Sequence, residues 1–491
     1  MRVSTGPRVA LAVVLVAGIG LAGAGTAAAD SGIEWAPCPE NAAVECGEVT
    51  VPIDWARPGK GTIDIAVARR KATDPDARIG TLLFLPGGPG GSGVNTVLAG
   101  GRLPADIAAR FDIVGFDPRG TNRSHPVVCD AALVANPPEQ VPDLGARLSE
   151  MTAYSKRLGR SCREHTGPLI DHVDTASVAR DMDALRAALG ERQVSLYGIS
   201  YGTLTGQMYA ERFPQRVRAM VLDSVFDHSL STTRFLASEA RAAEDGFGQF
   251  VAWCEQDASC ALHGRDAAEV YAGLYEKALA GELHVPGDPT RPVGPLDLIG
   301  VAVNHLYGPH WAELAVLLDE LDSQRPQVGA QVAPELTPMP LASFCGDHDF
   351  DFRSQREWTK AWRMMNREAP TVRGHFAWTL VTLCAEWPAR TGNPQHRTDI
   401  DGGPTVLLMN AQYDPATPHE WATSVARQIG DSVLLTYDGW GHGVHNRSEC
   451  TLGALNRYLI DGIAPAPDTH CAAVPPAQLT TAGSPPTTIG W

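Results

Sequence analysis

Three residue types that together make an acyl-transfer catalyst stand along this chain at the ends of apolar runs. Ser200 lies in the pentapeptide Gly198-Ile199-Ser200-Tyr201-Gly202, just after the run Val194–Tyr197. Asp414 follows the run Thr405–Met409, and His442 follows Ser432–Tyr437 within Gly441-His442-Gly443. A serine hydroxyl is a weak nucleophile at neutral pH. It needs an imidazole to take its proton and a carboxylate to orient that imidazole. The G-x-S-x-G match alone is expected about 0.2 times by chance in a chain of this length, so its surroundings must decide.

Each role has competitors. Asp223 and Asp227 end an earlier strand, but Asp414 sits one strand–helix unit before the histidine loop and is the preferred acid. His445 and His419 compete with His442, whose flanking glycines suit a loop that must bring imidazole close to a hydroxyl. Acyl transfer also requires donors aimed at the developing oxyanion. The backbone N–H of Tyr201 is one candidate, and Gly88 in Gly87-Gly88-Pro89-Gly90 supplies the other. That loop lacks the G-K-[ST] ending of a phosphate cradle, and its prolines withhold N–H donors.

The elements that position these residues are legible from periodicity. Gly61–Arg69 alternates, with Ile63, Ile65 and Val67 on one face, and Thr81–Leu85 and Phe111–Phe116 are strand-length apolar runs. Val178, Met182, Leu185 and Leu189 recur at helical spacing before the stop at Gly190, and Ala219–Leu222 reads as a further strand. Strands alternating with helices predict a mostly parallel sheet whose reactive groups collect beyond the strand C-termini. The alternation lapses into helical patterning and returns at residue 405. The expected architecture is therefore α/β, an α/β-hydrolase fold with an inserted, largely helical cap, and Ser200, Asp414, His442 follow its chain order. The expected divisions are a signal peptide at 1–29, core at 30–226, cap at 227–390, core at 391–463 and a Pro-rich tail at 464–491. Gln324–Pro340 reads as a long loop and the tail as loosely ordered.

Composition bounds the setting. The chain has 491 residues, 44% hydrophobic and 20% charged, with a formal charge of −16. Such acidity argues against a nucleic-acid partner. Arg2 and Arg8 precede an apolar stretch from Val9 to Leu21, and Ala27-Ala28-Ala29 offers a cleavage site, so a soluble secreted protein without stable membrane association is expected. Ten cysteines lie beyond that site; in an exported chain an even count reads as disulfides, most simply between sequence neighbours, with Cys471 tethered to Cys450. No zinc spacing occurs, and no metal site is expected.

The chain resembles the secreted actinobacterial tripeptidyl aminopeptidases within the proline-iminopeptidase-like α/β-hydrolases. The markers run through nearly all of the mature chain. They are Val51-Pro52-Ile53-Asp54-Trp55, Gly87–Gly90, Asp117-Pro118-Arg119-Gly120, Gly198–Thr203, Cys345-Gly346-Asp347, Cys384-Ala385-Glu386-Trp387-Pro388 and Asp414-Pro415-Ala416-Thr417-Pro418. The resemblance implies Ser200, Asp414 and His442 as the triad, no cofactor, and a cap that limits substrate length. Two departures lie close to the substrate. Ser224 stands where the family usually has glycine, and Pro86 stands where iminopeptidases often have histidine.

The function expected is release of short peptides from free amino termini through an acyl-enzyme, by a chain acting as a monomer on a peptide or small acyl substrate. Holding the substrate ammonium requires a negative group, because burying that charge unpaired is costly. Asp347 and Glu386 are the candidates. An esterase or small-molecule amidase would use the same triad, and a non-catalytic binding protein would not need it. Epoxide hydrolase and dehalogenase chemistry is disfavoured, since it requires a carboxylate where Ser200 stands. The sequons at Asn122 and Asn446 fall in motif loops and read as coincidental.

Overall fold

The computed structural model describes Met1 and residues 32–100, 103–286, 288–323 and 336–476. The expected signal peptide therefore lies outside the described residues, apart from Met1. Among the described residues, ten strands form one sheet. In chain order they are Ala36–Pro37 (β1), Glu45–Pro52 (β2), Thr62–Arg70 (β3), Gly80–Leu85 (β4), Phe111–Phe116 (β5), Val194–Ile199 (β6), Val217–Asp223 (β7), Val406–Tyr413 (β8), Ser432–Trp440 (β9) and Thr469–Cys471 (β10). Their spatial order is β1-β2-β3-β5-β4-β6-β7-β8-β9-β10. The pairs from β5 to β10 are parallel, whereas β1, β2 and β3 join antiparallel at one edge.

The central strands β4, β5 and β6 are buried at every position, as expected of parallel strands covered on both faces. Register then decides function. Leu85 pairs with Gly198, Ile199 with Asp223, Asp223 with Met409, and Met409 with Leu435. The C-termini of β4, β6, β7, β8 and β9 thus form one line, and the loops carrying Gly88, Ser200, Asp414 and His442 leave the sheet together.

Between β7 and β8 the chain is mostly helical, from Thr232–Gln256 through Pro295–Tyr307 and Leu341–Asp347 to Ala377–Cys384. The expected long loop at Gln324–Pro340 is corrected in part. Residues 324–335 lie outside the described residues, but Leu336–Pro338 pairs antiparallel with Val128–Asp130, returning the insertion to the core. The tail is corrected likewise. Thr469–Cys471 is an ordered edge strand beside Leu435–Tyr437, held by the Cys450–Cys471 disulfide and by Val474 N–H donating to Tyr437 Oη at 2.8 Å. The other cysteines also join sequence neighbours: Cys38–Cys46, Cys129–Cys162, Cys254–Cys260 and Cys345–Cys384. No described helix is long and apolar enough to cross a membrane.

Candidate active site

Strand β6 passes into the helix Tyr201–Arg212 with almost no loop, and Ser200 takes up the whole change of direction at φ 57°, ψ −127°. Its flanking glycines are sterically required. A Cβ on Gly202 would lie 2.2 Å from Leu85 O, and one on Gly198 would lie 2.6 Å from Gly202 O. The strained turn leaves Ser200 at the strand tip, with its N–H donating to Asp223 O at 3.0 Å.

The donor loop lies against this serine. A Cβ on Gly87 would sit 3.0 Å from Ser200 Cβ and 3.5 Å from its Oγ. Asn122 Nδ2 donates to Gly90 O at 2.8 Å, so the amide of this sequon shapes the loop. Among the described residues, the N–H groups of Gly88 and Tyr201 make no hydrogen bond within the chain, which leaves both open to an incoming oxygen. Tyr201 N–H also opens a helix, where the dipole favours negative charge.

Asp414 is fully buried. Its oxygens accept from Ala416 N–H (2.9 Å), Thr417 N–H (3.0 Å), Thr417 Oγ1 (3.0 Å) and Ser224 Oγ (2.7 Å). His442 Nδ1–H donates to the same carboxylate, at 3.0 Å to Oδ1 and 3.1 Å to Oδ2. That bond fixes the tautomer that leaves Nε2 free to act as a base. Among the described residues, no hydrogen bond joins Ser200 Oγ to His442; such links are commonly loose before substrate binds. A Cβ on Gly443 would lie 2.9 Å from Ile199 Cδ1, which places the histidine loop beside the serine turn.

The insertion reaches this loop directly. His442 N–H donates to Tyr307 O at 2.8 Å, and the Tyr307 ring meets the imidazole edge-on at 4.9 Å between centroids. Arg447 donates to Tyr307 O (3.1 Å), His442 O (3.2 Å) and Gly443 O (2.9 Å).

The competing residues serve other bonds. Asp223 accepts from Tyr197 Oη at 2.7 Å and from Val444 N–H at 2.8 Å, and it lies close to His445. Burial opposes its charge, but these partners hold its carboxyl below the usual range. Asp227 accepts from Ser229, and His419 bonds Thr436.

The two carboxylates expected to hold an ammonium are not free to do so. Asp347 is fully buried and accepts from Thr175 N–H (2.8 Å), Thr175 Oγ1 (2.9 Å), Asn393 Nδ2 (3.1 Å) and Tyr201 Oη. Burial and neighbouring Asp174 push its carboxyl up to about 7, against donors that favour the charged form. It braces the side chain of an oxyanion candidate and has no surface to offer a ligand. Glu386 is exposed and pairs with Lys156 at 2.9 Å. The structure does not bring it to Ser200.

A carboxylate that the sequence reading missed fits better. Glu239, on the helix Thr232–Gln256, is only 4% exposed, and its Oε2 has no hydrogen-bond partner among the described residues. His375 Nε2 lies 3.5 Å away but donates to Pro415 O, while His375 Nδ1 accepts from Ala377 N–H. With both nitrogens occupied, and burial holding it down to about 3, this imidazole is neutral and supplies no counter-charge. Burial and the nearby Asp414 hold the Glu239 carboxyl well above its usual range. The signal was present in the sequence: Phe235, Glu239, Ala243 and Gly246 share one buried helix face, and a glutamate there demands an explanation.

Family models match this chain in two places. Residues 80–280 match the alpha/beta hydrolase fold, and residues 369–471 match a TAP-like protein family. The chain is 31% identical to the tripeptidyl aminopeptidase of Streptomyces coelicolor, across 92% of this chain and 88% of that protein. It is also 31% identical to serine protease Hip1 of Mycobacterium tuberculosis, across 89% and 91%. A protein named carboxylesterase B from Mycobacterium tuberculosis matches at 31%, across 87% and 86%.

Proposed function

The chain belongs to the α/β-hydrolase family that contains tripeptidyl aminopeptidase and serine protease Hip1, and from that premise we propose a secreted exopeptidase that removes short peptides from free amino termini. In this reading Ser200 Oγ attacks the scissile carbonyl as His442 Nε2 takes its proton. Asp414 stabilises the imidazolium, and the N–H groups of Gly88 and Tyr201 receive the oxyanion. The peptide leaves as its amine takes the proton from His442, and water then releases the acyl group by the same steps. The insertion, at 227–390, acts as the cap.

The observation that carries the exopeptidase reading is Glu239, a buried carboxyl close to Asp414 whose Oε2 has no hydrogen-bond partner among the described residues. A free α-ammonium is a group that could partner it, with Glu239 giving up the proton that burial holds on it as the ion pair forms. Asp347 and Glu386 are not proposed for this role. Export through a signal peptide ending near Ala29 fits the five disulfides and remains part of the proposal.

The carboxylesterase relative supports a second reading, an esterase on the same triad. A panel of tripeptidyl anilides, their N-acetylated counterparts and short acyl esters separates the two. Turnover of free-amine peptides well above the acetylated ones is expected. Equal turnover of both, or of esters alone, would overturn the exopeptidase reading.

A further inference from the structure

Ser224 directly follows β7 and is fully buried. Its backbone is left-handed, at φ 60°, a region unfavourable for residues other than glycine. Neighbouring bonds impose that turn: Ser224 N–H donates to Met409 O at 2.8 Å, and Val225 N–H donates to Asn410 Oδ1 at 2.7 Å. The turn points the hydroxyl between the acid and base loops. Ser224 Oγ donates to Asp414 Oδ2 at 2.7 Å and accepts from Gly443 N–H at 2.7 Å. The directions follow from chemistry. A carboxylate only accepts and a backbone N–H only donates, so the single hydroxyl proton belongs to Asp414 and a lone pair to Gly443.

Asp223 continues the pattern. Its carboxylate takes the next two amides, Val444 N–H at 2.8 Å and His445 N–H at 3.1 Å, and its carbonyl takes Ser200 N–H at 3.0 Å. Three consecutive amides after His442 are therefore held by one dipeptide, which also touches the serine and the acid.

We infer that Ser224 is a positioning residue: its hydroxyl, bridging Asp414 and the amide of Gly443, sets the register of acid against base. This rests on the triad proposed above. The left-handed backbone imposed by those bonds is the geometry that delivers the hydroxyl.

The test compares Ser224→Ala with Ser224→Gly. Both lose the hydroxyl, but glycine also relieves the left-handed backbone. A positioning role predicts that both lower kcat by about 10–100-fold, the size expected for a hydrogen bond to a charged group, with KM nearly unchanged. Without the donor, Asp414 presents more negative charge to the imidazolium. The acid limb of kcat/KM should then move up by about half a unit to one unit. The other titratable groups facing this pair are Glu239, Tyr307, His419, Asp223, His445 and Arg447, and they are the same in both variants. Wild-type kcat and an unmoved limb in Ser224→Gly would overturn the inference, because relieving strain would then suffice. If Ser224→Ala fails to fold, Ser224→Gly alone carries the test. Fluorophosphonate labelling of Ser200→Ala, run in parallel, distinguishes the two failures: persistent labelling refutes the triad, whatever Ser224 does.

Discussion

Replacing Glu239 by glutamine should separate binding of the amino terminus from the chemistry at Ser200. Two unit charges about 4 Å apart, at an effective dielectric of about 20, attract by ~4 kcal/mol. Part of that gain is spent releasing the proton that burial holds on Glu239, and the amide oxygen of glutamine can still accept one hydrogen bond. A net loss of about 2–3 kcal/mol remains, which is about 30–150-fold in kcat/KM at ~1.4 kcal/mol per decade. The assay is kcat/KM for a tripeptidyl anilide and its N-acetylated analogue near pH 7.5. Only the free-amine substrate should lose rate, while the acetylated one should change by less than about threefold. Glu239→Met should show the same selectivity and also raise thermal stability by ~1–2 kcal/mol, since it removes an unpartnered buried polar group. Equal losses on both substrates would mean that Glu239 supports the fold of the site and holds no ammonium. A loss below threefold on the free-amine substrate would refute the assignment outright.

Ser200→Ala or His442→Ala should each lower kcat by about 10⁴–10⁶-fold, measured on the best substrate of the panel; retention of a tenth of wild-type rate would refute the triad. Asp347 gives a pH signature. Its carboxyl is held up at about 7, so between the ordinary aspartate range and pH 7 the folded chain binds the extra proton. Stability should therefore fall as pH rises through that window. Asp347→Asn, which mimics the protonated form, should match the wild type near pH 4 and melt higher above pH 7; parallel melting curves at both pH values would count against it. Replacing Cys345 and Cys384 by alanine opens a loop with a sequence separation of 39 and should cost about 4 kcal/mol in the chain-entropy picture. Activity should fall as well, because Cys345 shares a helix with Asp347, the brace of Tyr201.

The sheet was legible because its central strands are short apolar runs bounded by turns. Phe111–Phe116 is reproduced without change, and Thr81–Leu85 and Val194–Tyr197 differ by one or two residues at an end. The three proposed triad positions were legible for the same reason, since each follows such a run. Burial inside the insertion was not. Asp347 and Glu386 look alike in sequence, and only the packing of the helix Leu341–Asp347 makes one inaccessible while the other pairs with Lys156. Glu239 could have been found by placing it on its helical face. Ser224 could not, because nothing local dictates a left-handed serine; the turn comes from Met409 and Asn410, far along the chain.

The bond from His442 N–H to Tyr307 O would give the insertion a role beyond that of the proposed cap. A cover that swings away would take with it the acceptor that steadies the histidine backbone, and Arg447 would lose the carbonyls of Tyr307 and Gly308. Opening and turnover would then exclude each other, and the contact would act as a latch on the reaction. Substrates would have to thread in beside it. Amide exchange at His442, followed with and without a product peptide, would reveal whether the latch lifts at all: slow exchange in both states means that it stays shut throughout the cycle.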